Sequence, residues 1–362
     1  MSPLVPRRPD LAAMTGYHSP QVEVDVRLNT NESPFPPPEG WREELVAAVR
    51  ATEFQRYPDR GVRALRAALA ERHGVGPDEV FCANGSDEVL QCLLLAFGGP
   101  GRRAAVFEPT YRLHSHIARV TGTEVVTGGR TADFRVDPEE AGSLLAGAQP
   151  AITFLCSPNN PTGRSDPPEL VRHLAATAPG LVVVDEAYGQ FAPWSAVGLR
   201  GEGGVGGGAD VAGLVVVRTF SKTWAMAAVR LGYLVADPEV VAGCEAVVLP
   251  YHLSAVTQAA GLLALDHQAE MEARVTQVAE ERGRLAAALA ELPVSAWPSD
   301  ANFILFRTER RDAAAVWQDL VDRGVLVRDC SGWEGLAGCL RVTVGTAAEN
   351  DRFLSALREV VA

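Results

Sequence analysis

Four short runs, Ala104–Phe107, Ile152–Cys156, Leu181–Val184 and Leu214–Val217, are apolar almost throughout and alternate with stretches of helical period. Successive side chains of a strand point to opposite faces, so such a run is stable only when both of its faces are covered. The pattern predicts an α/β fold with a mostly parallel sheet between helices, the helices being Val62–Arg72, Glu88–Phe97, Leu113–Val120 and Glu169–Thr177.

The alternation breaks at a long Ala-rich, polar helical pattern, Gln268–Glu291, which reads as a connector into a second unit. Beyond it come strands near Val294, at Asn302–Phe306 and at Leu340–Val344, with helices at Ala313–Arg323 and Ala348–Val361, a smaller α/β domain. The Pro-rich segment Ser33–Glu39 sets off the N-terminus from a first helix at Trp41. The expected division is an N-terminal arm (1–36), a large domain (37–249) and a small C-terminal domain (250–362). The run 198–208, GLRGEGGVGGG, has nothing to pack and is expected to be a mobile surface loop.

With 362 residues and 47% hydrophobic content, the chain can bury a sizeable core. No apolar run approaches the roughly 18 residues of a membrane span, and Met1–Tyr17 mixes Pro, Arg and Asp, so neither a membrane partner nor a signal peptide is expected. A net charge of -12 leaves no basic stripe for phosphate backbones, which speaks against nucleic acid. Six cysteines without CxxC or zinc spacing suggest reduced, partly buried thiols in a cytoplasmic protein that needs no metal.

Of the 33 basic residues 32 are arginine, and Lys222 is the single lysine. Coding bias accounts for the missing lysines, since arginine serves equally at most solvated positions. It leaves lysine where arginine fails: a guanidinium stays protonated, whereas a lysine amine can lose its proton and attack a carbonyl. Lys222 lies in RTFSKTWAMAAVRLGY just past the run Leu214–Val217, at the carboxyl end of an expected parallel strand, where ligands of open α/β sheets bind. Ser221 stands beside it and Arg230 eight residues on. The run Leu181–Val184 delivers Asp185 of DEAY to the same edge. An aspartate for a protonated ring nitrogen and a lysine for an aldehyde are the two protein groups that pyridoxal 5'-phosphate requires. SPNNPTG offers Asn160, and Asn84-Gly85-Ser86 ends a strand and opens a helix whose free amides suit a phosphate. Taken singly, DEAY also fits a surface turn, SPNNPTG a plain turn and NGS an ordinary cap. Their order, with Tyr111 after a strand, is what carries the reading.

In that order the sequence resembles the fold-type I aminotransferases that use pyridoxal phosphate, and within them the histidinol-phosphate aminotransferase family. The resemblance runs from VRLNTNESPFPPP through RYPD, ANGSDEVLQ, FEPTYRLH, SPNNPTG, VVVDEAY, RTFSK, RLGY, LPYHLSAVTQ, SDANFILF, VLVRDC and LRVTVGT, nearly the whole chain. It implies that Lys222 holds the cofactor and serves as general base, with Asp185 keeping the ring nitrogen protonated. It implies further that Tyr188 and Asn160 bind the ring 3'-oxygen and that Tyr111 stacks on the ring. Ser86 with the neighbouring amides of Gly85 and Asp87, together with Ser221 and Arg230, would bind the cofactor phosphate. Tyr57 of RYPD would reach that phosphate from the other subunit, which implies a homodimer with shared active sites.

For the small-molecule substrates, the resemblance assigns Arg341 to the carboxylate of glutamate or 2-oxoglutarate and, in the other half-reaction, to the phosphate of histidinol phosphate. Arg328 would be the second arginine on that phosphate, with Tyr17 and Tyr251 lining the pocket. Within LRVTVG, Leu340, Val342 and Val344 are expected to face a core and Arg341 the opposite side. Trp224, Val229, Arg112 and Asp87 depart from the family pattern, either as repacking or as a reshaped pocket. Other readings are an aromatic or other amino-acid aminotransferase, possible in a specialised pathway, a pyridoxal-phosphate decarboxylase, and a non-enzymatic cofactor-binding regulator.

Overall fold

The structure is a computed structural model and describes residues 5–12, 14–16, 20–200, 211 and 213–362. Twelve strands occur among the described residues: β1 (Val26–Leu28), β2 (Val80–Ala83), β3 (Arg103–Glu108), β4 (Glu124–Gly129), β5 (Ile152–Cys156), β6 (Leu181–Asp185), β7 (Leu214–Thr219), β8 (Gly232–Val235), β9 (Val294–Ala296), β10 (Phe303–Thr308), β11 (Val325–Asp329) and β12 (Cys339–Thr343). Seven form a large sheet in the order β2-β8-β7-β6-β5-β3-β4, in which only β8 runs against its neighbours.

The four apolar runs are β3, β5, β6 and β7, side by side in parallel. Their alternate side chains feed two cores. Phe154, Val183, Val215 and Val217 pack on one face with the helix Gly85–Phe97, while Leu155, Val184, Leu214 and Val216 pack on the other with the helices Pro138–Ala148 and Pro168–Thr177. Each such valine or leucine contributes roughly 1.5–3 kcal/mol by leaving water. The register sets Cys156 opposite Asp185 and Asp185 opposite Val217, so the carboxyl ends of β5, β6 and β7 finish level along one edge. That edge carries the site.

The remaining five strands form a second sheet, β1-β11-β12-β10-β9, parallel only between β1 and β11. Its core contains Ile304, Phe306, Leu340, Val342 and Val344, backed by Phe353 and Leu357 of the helix Ala347–Val361. The helix Gln268–Ala290 leads into this sheet. β1 pairs Val26 with Val325, so part of the stretch expected as an arm is built into the second sheet. β11 is formed by the motif VLVRD, which is not among the expected strands. β4, with its half-exposed pattern and two terminal glycines, lacked the continuous apolar signal.

Of the run 198–208, residues 201–208 lie outside the described ones. Leu199 and Arg200 do pack, against expectation. Gly198 and Leu199 end a 3-10 turn, Ala196–Leu199, and Arg200 is held by Leu214 O at 2.6 Å, Asp237 at 2.7 Å and Glu79 at 3.2 Å. A buried guanidinium with that many acceptors anchors a segment that has little apolar surface of its own.

Candidate active site

The carboxyl edge of the large sheet, the segment after β1 and the strands β11 and β12 enclose a cavity of about 220 Å³. Lys222 lies in its wall on the loop after β7, and its Nζ donates to Thr30 O at 3.1 Å. Burial of the amine, reinforced by the Arg341 charge, lowers its pKa from 10.5 to about 8. A base near neutrality can both accept and return a proton.

Asp185, at the end of β6 and 1% exposed, also lines the cavity. One carboxylate oxygen lies 2.9 Å from His114 Nε2, and the other accepts from Ala187 N at 3.1 Å. His114 is fully buried in the helix Leu113–Val120, stacked at 4.8 Å on Phe154 and edge-on to Tyr111 at 5.4 Å. These contacts fix both the imidazole and the carboxylate it holds. His114 was not among the expected site residues, although its place three residues after Tyr111, one helical turn on, was a usable signal.

Part of the same cavity wall is built to receive an anion. In the helix Gly85–Phe97 no side chain caps the first turn, because Asn84 turns its amide to Glu88 at 2.7 Å and to His252 O at 2.9 Å. The first amides of the helix are thus left for a ligand. Gly232 permits this placement, since a Cβ there would stand 2.3 Å from Ser86 N. Gly85, at φ +76°, likewise makes room for Arg230, whose guanidinium would be 2.5 Å from a Cβ. Ser221 Oγ accepts from Thr219 Oγ1 at 2.9 Å and lies 3.4 Å from Arg230 Nη1. Asp87 pairs with Arg230 at 3.3 Å and accepts from Tyr111 OH at 3.2 Å. Both members of the Asp87–Arg230 pair are substantially exposed, so an incoming phosphate can displace this weak bridge.

Tyr188 is buried beside Phe303, its hydroxyl accepts from Asn31 Nδ2 at 2.9 Å, and burial raises its pKa. With its oxygen so engaged, the hydroxyl proton remains for a ligand. Asn160 Oδ1 accepts from Arg341 Nη1, and Arg341 Nη2 donates to Asn29 O at 2.8 Å. Leu340, Val342 and Val344 face the core of the second sheet, and Arg341 faces the cavity, as the alternation requires. Arg328 lies directly opposite Arg341 across β11 and β12 and lines the same cavity.

Asn29, Thr30, Asn31 and Glu32 of VRLNTNESPFPPP, none of them an expected site residue, line the cavity too. Only the pairing of β1 with β11 brings them there. Tyr57 and Tyr251 are not in this wall. They stack on each other at 4.4 Å and are 79% and 42% exposed. Tyr17 lies outside the described residues. Trp224 and Val229 belong to a core cluster away from the cavity, with Trp224 stacked on Phe220 at 5.2 Å.

These donors fit pyridoxal phosphate: an uncapped helix end with Arg230 for the phosphate, a buried carboxylate for the ring nitrogen, and a lysine of lowered pKa in the same wall. The family model for class I and II aminotransferases matches residues 23–357. Histidinol-phosphate aminotransferase of Frankia casuarinae is 46% identical over 98% of this chain and 89% of its own length, and that of Corynebacterium glutamicum 44% over 99% and 97%. Among solved structures, histidinol-phosphate aminotransferase from Sinorhizobium meliloti in complex with pyridoxal-5'-phosphate superposes with a TM-score of 0.83, at 25% identity, over 94% of this chain and 91% of that one. Aspartate aminotransferase from Thermus thermophilus with maleate gives 0.80 at 25% identity, over 93% and 92%. The chain belongs to the class I and II aminotransferases, which use pyridoxal phosphate, and within them to the histidinol-phosphate aminotransferase family.

Proposed function

We propose that this protein is a homodimeric, cytoplasmic enzyme of histidine biosynthesis that exchanges the amino group between L-histidinol phosphate and 2-oxoglutarate, giving imidazole acetol phosphate and L-glutamate. The observation that carries the substrate is the pair Arg328 and Arg341, opposed on neighbouring strands and both turned into the cavity. Two planar forks side by side suit a phosphate, and Arg341 alone suits the carboxylate of the second substrate.

Bound pyridoxal phosphate supplies an aldehyde for the migrating amine and a sink for the electrons released at the substrate's α-carbon. The protein does the rest. Lys222 Nζ binds the cofactor and, when freed, takes the proton from the α-carbon and returns one, a role its lowered pKa suits. Asp185, oriented by His114, holds the proton on the ring nitrogen. Tyr188 and Asn160 bind the ring 3'-oxygen, Asn160 being itself held by Arg341. Tyr111 covers the ring, while Gly85, Ser86, Asp87, Ser221 and Arg230 form the phosphate end.

Tyr57 and Tyr251, stacked and exposed away from their own cavity, support a dimer in which each subunit lends Tyr57 to the partner's cofactor phosphate and Tyr251 to its substrate pocket. The six cysteines, all free and buried, fit the reducing cytoplasm. A donor screen with 2-oxoglutarate tests the substrate. Turnover of histidinol phosphate well above that of phenylalanine and other amino acids is expected. Preference for an unphosphorylated amino acid would point to the aromatic or general aminotransferase instead, and release of carbon dioxide to a decarboxylase.

A further inference from the structure

Arg112 directly follows Tyr111, whose ring lines the cavity. It is exposed and forms no ion pair among the described residues, yet its guanidinium lies over the indole of Trp333, Cζ to centroid 5.6 Å. The same indole takes Arg328 at 5.9 Å. Trp333 is only 9% exposed, its ring packs with Phe134, Leu305 and Cys330, and its backbone N–H donates to Cys330 O at 2.9 Å. One rigid ring therefore steadies a guanidinium of the cavity wall and a second one outside it. Such contacts are attractive and consume none of the five N–H donors of an arginine.

Charge and valence distinguish the two substrates. A carboxylate has one negative charge and two oxygens, which a single fork such as Arg341 satisfies. A phosphomonoester carries about -1.5 to -2 charges near pH 7 on three terminal oxygens, so acceptors remain after Arg328 and Arg341 have bound. A third guanidinium steadied on the ring that Arg328 also touches finds a partner on a phosphate and none on a carboxylate.

We propose that Arg112, braced by Trp333, is a specificity-determining residue that selects a phosphomonoester over a carboxylate at the distal end of the substrate. The inference rests on the phosphorylated-amine reading of the site. Its test is steady-state kinetics of the holoenzyme and its Arg112→Ser and Arg112→Lys variants with histidinol phosphate and with 2-oxoglutarate, at low and high salt. Arg112 is exposed, so neither change threatens folding. Arg112→Ser is expected to raise KM for histidinol phosphate about 5- to 20-fold with kcat within about twofold, to leave KM for 2-oxoglutarate unchanged, and to flatten the salt dependence of the first KM. Arg112→Lys should recover part of the loss, since it restores charge without the fork. An unaltered KM for histidinol phosphate, or an equal rise for both substrates, overturns the inference. If the unmodified enzyme turns over no phosphorylated amine, the substrate reading itself fails, and that is visible before any variant is made.

Discussion

Arg328 and Arg341 are Cα partners across the antiparallel strands β11 and β12, with both guanidiniums turned into one cavity. Like charges directly opposite each other weaken a strand pair. Asn160 and Asn29 O hold Arg341 in place without neutralising it. The small sheet thus offers an incoming anion two guanidiniums in one cavity wall.

Inorganic phosphate should therefore stabilise the holoenzyme, raising Tm by about 1–3 °C at saturating concentration over chloride of equal ionic strength. Arg328→Gln should lose most of that response and lower kcat/KM for histidinol phosphate by roughly 10- to 100-fold. Thermal melts and initial rates check both.

Lys222 is expected to be irreplaceable for turnover, and Lys222→Arg as inactive as Lys222→Met, because a guanidinium does not give up its proton. Stability should move the other way. The folded pKa of about 8 lies below the ordinary 10.5, so between these values the unfolded chain binds more protons and stability rises with pH. Below about pH 8 the whole penalty is present. Cofactor-free Lys222→Met should then be more stable than the unmodified chain at pH 7, by up to about 3 kcal/mol, with the gap closing toward pH 10.5. Denaturant titrations of both proteins at pH 7 and pH 10 measure it; a gap that does not narrow would count against a desolvated amine.

His114→Ala removes the imidazole from a carboxylate that is 1% exposed. Leaving a buried charge without its partner typically costs about 3–5 kcal/mol, so a loss of that order in urea unfolding is expected, together with weaker cofactor retention on dialysis. His114→Gln, whose amide can reach the Nε2 position and still donate to Asp185, should recover part of both.

Tyr57 is 79% exposed and outside the cavity of its own chain. Mixing inactive Tyr57→Ala with inactive Lys222→Ala should restore measurable activity, because a hybrid dimer contains one complete site. No recovery despite proven subunit exchange would place Tyr57 in service of its own chain.

Much of this site could be read from the sequence because its groups sit at strand ends. An apolar run long enough to be buried on both faces fixes where a strand stops, and the residue that follows must emerge at the sheet edge, as Asp185 does after β6 and Lys222 just beyond β7. The alternation of β12 likewise determined that Arg341 leaves the core. Contacts between segments distant in the chain were not legible. Asn31 reaches Tyr188 across 157 positions, and Lys222 finds Thr30 O across 192, only because a three-residue strand, too short for a periodic signal, pairs β1 with β11. His114 meets Asp185 because parallel strands bring two separate βα units level, a matter of register. The sequence by itself determined the large sheet, its ligand-binding edge and the chemistry of the lysine. The tertiary structure decided how that lysine is desolvated, what steadies the aspartate, and which arginines share a cavity, because each depends on packing between segments that carry no local trace of one another.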